Sequence, residues 1–219
     1  MNRLAIFDCD GTLVDSQHNI CLAMERCCIE AGLEPPARER TRNVVGLSLV
    51  EAMRAMVPEA QPDHHAELAE SYKRAFQAMR AEGLAEEPLY DGIAELIDRL
   101  EAEGWLLGIA TGKSDRGLGL CLAHHGLSAR FCTLQTADRH PSKPHPSMVE
   151  AALAEAGADP AASMMIGDTS YDMIMAKAAG VTAVGVAWGY HDPQELVAAG
   201  ADFIAATPAD IATLLKADA

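Results

Sequence analysis

The sequence predicts an α/β fold: a doubly wound parallel sheet with helices on both faces, and an α-helical domain inserted after the first strand. Short apolar segments without polar alternation recur from residue 105 onward, and helical periodicity follows each of them. Such segments are typical of strands buried on both faces and joined by crossover helices. A similar segment lies near residue 3, and the residues between it and Pro88 show helical periodicity alone. With 219 residues, 49% of them hydrophobic, the chain can form one large core and a smaller unit.

The first strand is predicted at residues 3–8, and the helical domain follows it directly. Apolar residues at helical spacing form three stripes, and glycine and proline separate the stripes at Gly32, Pro35, Pro36, Pro58 and Pro62. We therefore expect three or four helices between residues 16 and 87. The stripes are Ile20, Met24, Cys27 and Ala31; Leu49, Met53 and Met56; and Leu68, Tyr72, Phe76 and Met79.

Strands and helices are predicted to alternate after Pro88, and their connections are short. This order indicates a parallel sheet built from crossover units. We therefore expect a core domain of residues 1–15 and 88–219, and a helical cap domain of residues 16–87. The expected helices are 93–103, 114–125, 147–157, 171–180, about 193–199 and from about 208; the expected strands are 105–111, 131–135, 163–168, 181–187 and 203–204.

Charge and cysteine content restrict the class of partner. Acidic residues outnumber basic ones by 32 to 17, and the formal net charge of −15 disfavours nucleic acid or an anionic membrane surface. The six cysteines show neither a CxxC motif nor zinc-ligand spacing, which is typical of reduced thiols in a cytosolic protein. No secretion signal precedes the first strand, and no apolar run approaches the ~20 residues of a membrane span. We expect a cytoplasmic monomer or homodimer.

Polar residues gather at the ends of the predicted strands. Because the carboxyl ends of parallel strands meet at one edge of the sheet, where ligands bind, we expect these side chains to lie close together. They are Asp8 and Asp10 after the first strand, Thr111 and Gly112 after the second, Lys143 in the loop after the third, and Asp168 and Asp172 after the fourth.

This set of residues predicts phosphoryl chemistry at a magnesium ion. Asp8 and Asp168 together can hold a hard divalent cation such as Mg²⁺, which relieves their repulsion and neutralises an incoming phosphate. Lys143 adds positive charge, and Thr111 with the amides near Gly112 can bind phosphate oxygens. One aspartate would attack phosphorus, and the other would protonate the leaving alkoxide. Gly11 permits the tight backbone that turns Asp10 over the site.

Four motifs carry a family resemblance. DCDGTLVDS, the threonine that ends the second predicted strand, Lys143 in KPHP, and GDTSYD occur in the order found in the haloacid dehalogenase superfamily, which this chain resembles over essentially its whole length. The resemblance implies a Rossmann-like core with a helical cap. It implies that Asp8 is the nucleophile and Asp10 the general acid and base. The magnesium ligands would be Asp8, the backbone carbonyl of Asp10, and Asp168.

The resemblance also assigns supporting roles. Asp172 would support the water shell of the metal or Lys143, Thr111 would bind phosphate, and Lys143 would stabilise the charge in transfer. Two further segments, VAWGYHDPQELVAAGADFIAATPADI and CCIEAGLEPPARERTRNVVGLSL, resemble phosphoglycolate phosphatases. In the cap, we expect Arg42 and residues 46–48 to contact the substrate.

The predicted function is therefore a Mg²⁺-dependent phosphomonoester hydrolase that forms an aspartyl phosphate and acts on a small phosphate ester, with 2-phosphoglycolate favoured. A phosphosugar phosphatase, a pyrophosphatase and a phosphosugar mutase stay open on the same scaffold. The alternative outside the enzymes is a non-catalytic regulatory protein or a signalling protein that accepts a phosphoryl group. A signalling receiver domain would be shorter, at about 120 residues, and would lack the cap.

Several other residues have a plainer interpretation. Asp15 and Ser16 fit a helix start or a cap hinge, and Lys113 fits a solvated loop lysine as well as a substrate contact. Residues 188–190 fit a turn as well as the rim of the site. The histidines at 64, 65, 124, 125 and 140 are expected at the surface or at helix ends.

Overall fold

A six-stranded parallel sheet forms the centre of the computed structural model, which describes residues 2–214. The elements in chain order are β1 (Asn2–Phe7), α1 (Gln17–Glu30), α2 (Arg38–Arg42), α3 (Leu49–Met56), α4 (Pro62–Ala81), α5 (Ile93–Ala102), β2 (Leu106–Thr111), α6 (Asp115–His124), β3 (Thr133–Thr136), α7 (Ser147–Ala156), β4 (Ala158–Gly167), α8 (Ser170–Ala179), β5 (Thr182–Val186), α9 (Pro193–Ala198), β6 (Phe203–Ala205) and α10 (Pro208–Leu214).

The strand order is β3-β2-β1-β4-β5-β6, so β1 lies at the centre between β2 and β4. The register places Phe7 beside Ile109 of β2 and Ile166 of β4. The ladder continues one residue beyond β1, because the Asp8 N–H donates to the Ile166 carbonyl at 2.9 Å. The carboxyl ends of three neighbouring strands therefore meet around Asp8.

Apolar helix faces cover both sides of the sheet, as the continuous apolar strands predicted. On one side, Phe7 and Ile109 pack with residues of α5, α6 and α10, such as Ile97. On the other side, Ile6 and Met165 pack with residues of α7, α8 and α9. The predicted doubly wound parallel sheet is confirmed.

Helices α1–α4, which we call the helical insert, follow β1 and have a separate apolar cluster. Met24 and Cys27 of α1 pack with Met53 of α3 and with Leu68 and Met79 of α4. These residues lie on the stripes predicted from helical spacing, whereas Ala31 lies beyond the end of α1 and is exposed. The domain boundaries near residues 15 and 87 stay predictions.

Most predicted elements differ from the observed ones by one or two residues. Two strands differ more. Strand β4 begins at Ala158, five residues earlier than predicted, because Asn2 pairs with Ala158 before a shift in the β1–β4 register. Strand β3 begins at Thr133 and not at Phe131, whose ring packs edge-on against Phe7 at a centroid distance of 6.4 Å. Within residues 2–214, no helix combines the length and the apolar character that crossing a membrane requires.

Candidate active site

The chain turns sharply after β1 and brings Asp8 to the edge of the sheet. Asp8 is 1% exposed, and its Oδ1 accepts a hydrogen bond from the Cys9 N–H at 2.6 Å. Gly11 has a φ of +81°, and a Cβ at this position would lie 2.2 Å from Asp168 Oδ2. Only glycine satisfies both conditions, because other residues rarely adopt this φ and would collide with the carboxylate. The predicted role of Gly11 in shaping the turn therefore has a second part, which is to leave room for Asp168.

Asp168 follows β4 and is held by two loops. Its Oδ1 accepts from the Thr12 hydroxyl at 2.9 Å, and its Oδ2 accepts from the Tyr190 N–H at 2.9 Å. Gly189 permits this close approach, since a Cβ there would lie 2.1 Å from the Asp168 Cβ. The loop at residues 188–190 is therefore a turn that also supports Asp168.

Lys143 joins the first and fourth strand ends. Its Nζ lies 2.9 Å from Asp8 Oδ2 and 2.6 Å from Asp172 Oδ1, and the side chain is fully buried. Asp172 also accepts from the Thr169 N–H and hydroxyl through Oδ2, which forms a capping box at the start of α8. Burial alone lowers the pKa of Lys143, but the carboxylates of Asp172 and Asp8 outweigh it and raise that pKa above the ordinary value.

The carboxylates of Asp8, Asp168 and Asp172 form one buried group, in which a ligand oxygen of each lies within 4.8 Å of the others. Burial raises the pKa of Asp8 to about 6, Lys143 opposes this shift, and Asp172 adds to it. Burial also raises the pKa of Asp168, and the charges of Asp8 and Asp172 contribute. The buried Asp8 Oδ2 lies 2.9 Å from the Lys143 ammonium, which Asp172 shares. Oxygen ligands with uncompensated negative charge fit a hard divalent cation.

The Asp10 side chain is not one of these three carboxylates and takes part in a second group of charges. Its Oδ1 accepts from the Ser16 hydroxyl at 2.5 Å and from Lys113 Nζ at 2.6 Å. Lys113 Nζ also donates to Glu87 Oε1 at 2.8 Å, and Arg80 of α4 donates to the other oxygen of Glu87. Asp10 is therefore connected to the helical insert through ion pairs. That the Asp10 backbone carbonyl binds a metal remains a prediction.

A cavity of about 380 Å³ lies between the strand ends and the helical insert, and Asp8 and Asp10 are the aspartates that line it. Asp8, Asp10, Thr111 and Gly112 line its base. Of the residues predicted to bind phosphate, Thr111 and Gly112 therefore face this space, whereas Gly11 and Lys143 lie outside its lining. The Thr111 hydroxyl accepts from the Lys113 N–H at 3.2 Å. A Cβ at Gly112 would lie 2.6 Å from the Gly46 carbonyl, so glycine is required where the core meets the insert.

Two predicted substrate contacts in the insert have different positions. Gly46 and Leu47 line the cavity. Arg42 lies outside the cavity lining, and its Nη2 donates to the Tyr190 carbonyl at 3.2 Å. Arg42 thus joins the insert to the loop that supports Asp168, and its contact with substrate stays a prediction.

Several interpretations from sequence need correction. Lys113 is buried between carboxylates and is not a solvated loop lysine. Ser16 lies at the start of α1 as predicted, and its hydroxyl also donates to Asp10 and lies 3.0 Å from the Tyr190 hydroxyl. His65 is 3% exposed, because its ring bonds to the Val57 carbonyl at 2.8 Å. Glu87 was missed altogether, and nothing in the local sequence distinguishes it from Glu86.

Comparison with known proteins identifies the family. The chain matches the model for haloacid dehalogenase-like hydrolases over residues 5–186. A probable phosphatase, IndB, of Dickeya dadantii is 34% identical over 216 residues, with 96% of this chain and 92% of the relative covered. A phosphoglycolate phosphatase of Agrobacterium fabrum is 31% identical over 222 residues, with 95% and 92% covered. A solved hydrolase from Pseudomonas syringae superposes with a TM-score of 0.87 at 27% identity, and both chains are covered completely. The chain belongs to the haloacid dehalogenase-like hydrolases, as the four motifs predicted.

Proposed function

We propose that the chain is a Mg²⁺-dependent phosphomonoester hydrolase that forms an aspartyl phosphate on Asp8. The observation that carries the proposal is the buried group of Asp8, Asp168 and Asp172, with Lys143 Nζ 2.9 Å from Asp8 Oδ2 and with Asp8 itself lining a cavity. Three carboxyl groups with one ammonium can bind a cation that balances their charge. A bound cation would in turn attract the negatively charged phosphate group of a substrate. The phosphatase names of the two relatives support the same reaction.

The residues that would hold the cation are Asp8, Asp168 and Asp172. Their ligands are all oxygens, which is the preference of Mg²⁺. When bound, the ion would neutralise charge on the phosphate oxygens and on the Asp8 carboxylate. The hydrogen bonds from Thr12 and from the Tyr190 N–H fix the Asp168 carboxylate in place.

The first chemical step belongs to Asp8 and Asp10. A carboxylate oxygen of Asp8 attacks phosphorus, a bond forms between them, and the bond from phosphorus to the ester oxygen breaks. For this step Asp10, which pairs with Lys113 as a carboxylate, must carry a proton, and it gives that proton to the ester oxygen, which leaves as the alcohol. Asp10 then takes a proton from water as the water attacks phosphorus, which releases inorganic phosphate and restores Asp8.

The remaining residues bind and stabilise the phosphoryl group. The Lys143 ammonium lies close enough to Asp8 to stabilise charge on the oxygens in transfer. Thr111 and the amides beside Gly112 line the cavity base, where they can donate to phosphate oxygens. We propose that the helical insert acts as the cap that covers this base and excludes water during the reaction.

Replacement of the nucleophile tests the reaction. We expect wild-type protein to release phosphate from p-nitrophenyl phosphate only with Mg²⁺, and Asp8→Asn to release none. Binding of Mn²⁺ in place of Mg²⁺, followed by electron paramagnetic resonance, gives a readout of the site that does not depend on turnover. Phosphate release by Asp8→Asn at the wild-type rate would contradict the proposed nucleophile.

The same assay separates the alternatives that the sequence left open. The predicted substrate 2-phosphoglycolate, a hexose phosphate and pyrophosphate are compared by phosphate release, and a mutase instead exchanges phosphate between positions of one sugar when a bisphosphate is added. A non-catalytic phosphoacceptor would release no phosphate from any of them. The cytoplasmic location and the monomeric or homodimeric state stay predictions.

A further inference from the structure

The cavity above Asp8 has an apolar wall that phosphoryl transfer itself does not require. Met24, Val45, Leu49, Tyr72 and Phe76 of the helical insert line it. Leu120 of α6 completes the wall from the core side. The Tyr72 and Phe76 rings pack together with centroids 6.1 Å apart. The phosphate-binding base is thus polar, whereas the space for the leaving group is enclosed by aliphatic and aromatic side chains.

The size of the cavity exceeds what a two-carbon leaving group fills. Its volume of about 380 Å³ lies within the usual range for small-molecule sites. At roughly 30 Å³ per water, the same space would hold about a dozen waters. A small leaving group would leave much of that water in contact with the apolar wall. An alcohol with apolar groups would displace the water, and this displacement favours binding.

The charges around the cavity disfavour a leaving group that carries a carboxylate. Lys113 is held by Asp10 and Glu87, and Arg80 is held by Glu87. Lys73 pairs with Glu70 at 2.8 Å. Of the basic side chains that line the cavity, only Arg116 lacks an ion-pair partner among the described residues, and it is exposed near the start of α6. A carboxylate deep in the cavity would therefore compete with carboxylates already bound to the nearby cations.

We infer that the preferred substrate is a phosphate monoester of a bulky, mainly apolar alcohol, and that a short carboxylated ester such as 2-phosphoglycolate is a poor substrate. The inference depends on the proposed function, because the cavity is taken to hold the leaving group of that reaction. The phosphate occupies the base beside Asp8, and the apolar alcohol contacts the wall formed by Tyr72, Phe76 and Leu120.

A series of primary alkyl phosphates tests this preference without changing the chemistry. Ethyl, butyl, hexyl and 3-phenylpropyl phosphate have leaving groups of similar basicity, so differences in kcat/KM report binding of the alcohol. Each methylene that becomes buried should raise kcat/KM about fourfold, until the cavity is filled. We expect 3-phenylpropyl phosphate to exceed ethyl phosphate by at least about tenfold, and 2-phosphoglycolate to fall below butyl phosphate.

Two variants identify the wall as the cause. Phe76→Ala should lower the ratio of kcat/KM for 3-phenylpropyl phosphate over ethyl phosphate about three- to tenfold, because an aromatic contact is lost. Phe76→Leu should retain part of the ratio. The matched control is Ile29→Ala on α1, where a 64% exposed apolar side chain outside the cavity is removed. In Ile29→Ala, the ratio of kcat/KM for 3-phenylpropyl phosphate over ethyl phosphate should equal the wild-type value.

The outcomes separate this inference from the proposed function. A flat series, or a preference for 2-phosphoglycolate that is lost in Arg116→Gln, overturns the inference and leaves the phosphatase proposal intact. Failure to release phosphate from every ester, p-nitrophenyl phosphate included, overturns the proposed function. In that case, the affinity of alkylphosphonates of the same chain lengths, measured by calorimetry, still tests the apolar preference of the cavity. Affinity that does not rise with chain length contradicts the inference.

Discussion

The substitution Lys113→Met removes the ammonium that both Asp10 and Glu87 contact. The side chains of Lys113, Asp10 and Glu87 are 10%, 13% and 6% exposed, so water replaces the lost partner poorly. Removing one member of a buried ion pair typically costs about 3–5 kcal/mol. The loss cannot much exceed the cost of protonating the carboxyl that lost its partner, which for a free carboxyl at pH 7 is about 4 kcal/mol. Glu87 keeps Arg80 as a partner, so Asp10 bears most of the loss. We therefore expect the free energy of unfolding to fall by about 3 kcal/mol.

Urea unfolding at pH 7, followed by circular dichroism, measures this loss. With a denaturant slope of about 2.5 kcal/mol/M, the midpoint should fall by roughly 1.2 M. The matched control is Lys73→Met, which breaks a 2.8 Å pair with Glu70 whose side chains are 38% and 62% exposed. Such exposed pairs contribute about 0–1 kcal/mol, so its midpoint should move by less than about 0.4 M. Equal shifts for the two variants would refute the argument from burial.

Three further predictions concern the acid, the turn and the thiols. Asp10→Asn should reduce kcat for an alkyl phosphate by about 10²–10⁴ and for p-nitrophenyl phosphate far less, because only the alkyl leaving group needs a proton; equal losses would contradict the acid role. Gly11→Ala should weaken Mn²⁺ binding at least about tenfold in resonance titrations, because its Cβ would lie 2.2 Å from Asp168 Oδ2, whereas Gly119→Ala, with open space around it, should not. Thiol titration of native protein should detect one fast cysteine, the exposed Cys132, and a second fast thiol would contradict the described burial of the other five.

The core of the site could be predicted because a parallel sheet places strand ends together. Asp8, Thr111 and Asp168 follow three apolar segments, and the register of β1 with β2 and β4 brings those ends side by side. Gly11, directly after Asp10, and Lys143, followed by Pro144 and Pro146, are further signals that can be read from the local sequence. These predictions required only the strand pattern and the rule for ligand sites in such sheets.

The second group of charges could not be predicted, because its burial depends on the path of the insert. Val14 pairs with Leu89, and the Asp15 N–H donates to the Pro88 carbonyl at 2.8 Å. These contacts bring the two connections of the insert together, and only then does Glu87 meet Lys113. No periodicity within either segment encodes a contact between residues 26 positions apart. The sequence therefore leaves the role of Lys113 open and gives no sign of its contact with Glu87.

The two groups of charges differ in balance, and that difference explains what each one does. Asp10 and Glu87 face Lys113 and Arg80, so the group at the base of the insert is neutral and needs no ligand to be stable. Among the described residues, Asp8, Asp168 and Asp172 have one ammonium beside them, that of Lys143, so the group at the strand ends has two more carboxyl groups than cations in surroundings that exclude water. Buried charge without a partner is costly, and a divalent cation supplies the missing charge. Metal binding is therefore expected to stabilise the fold as well as the reaction, since a ligand that binds only the native state raises the free energy of unfolding.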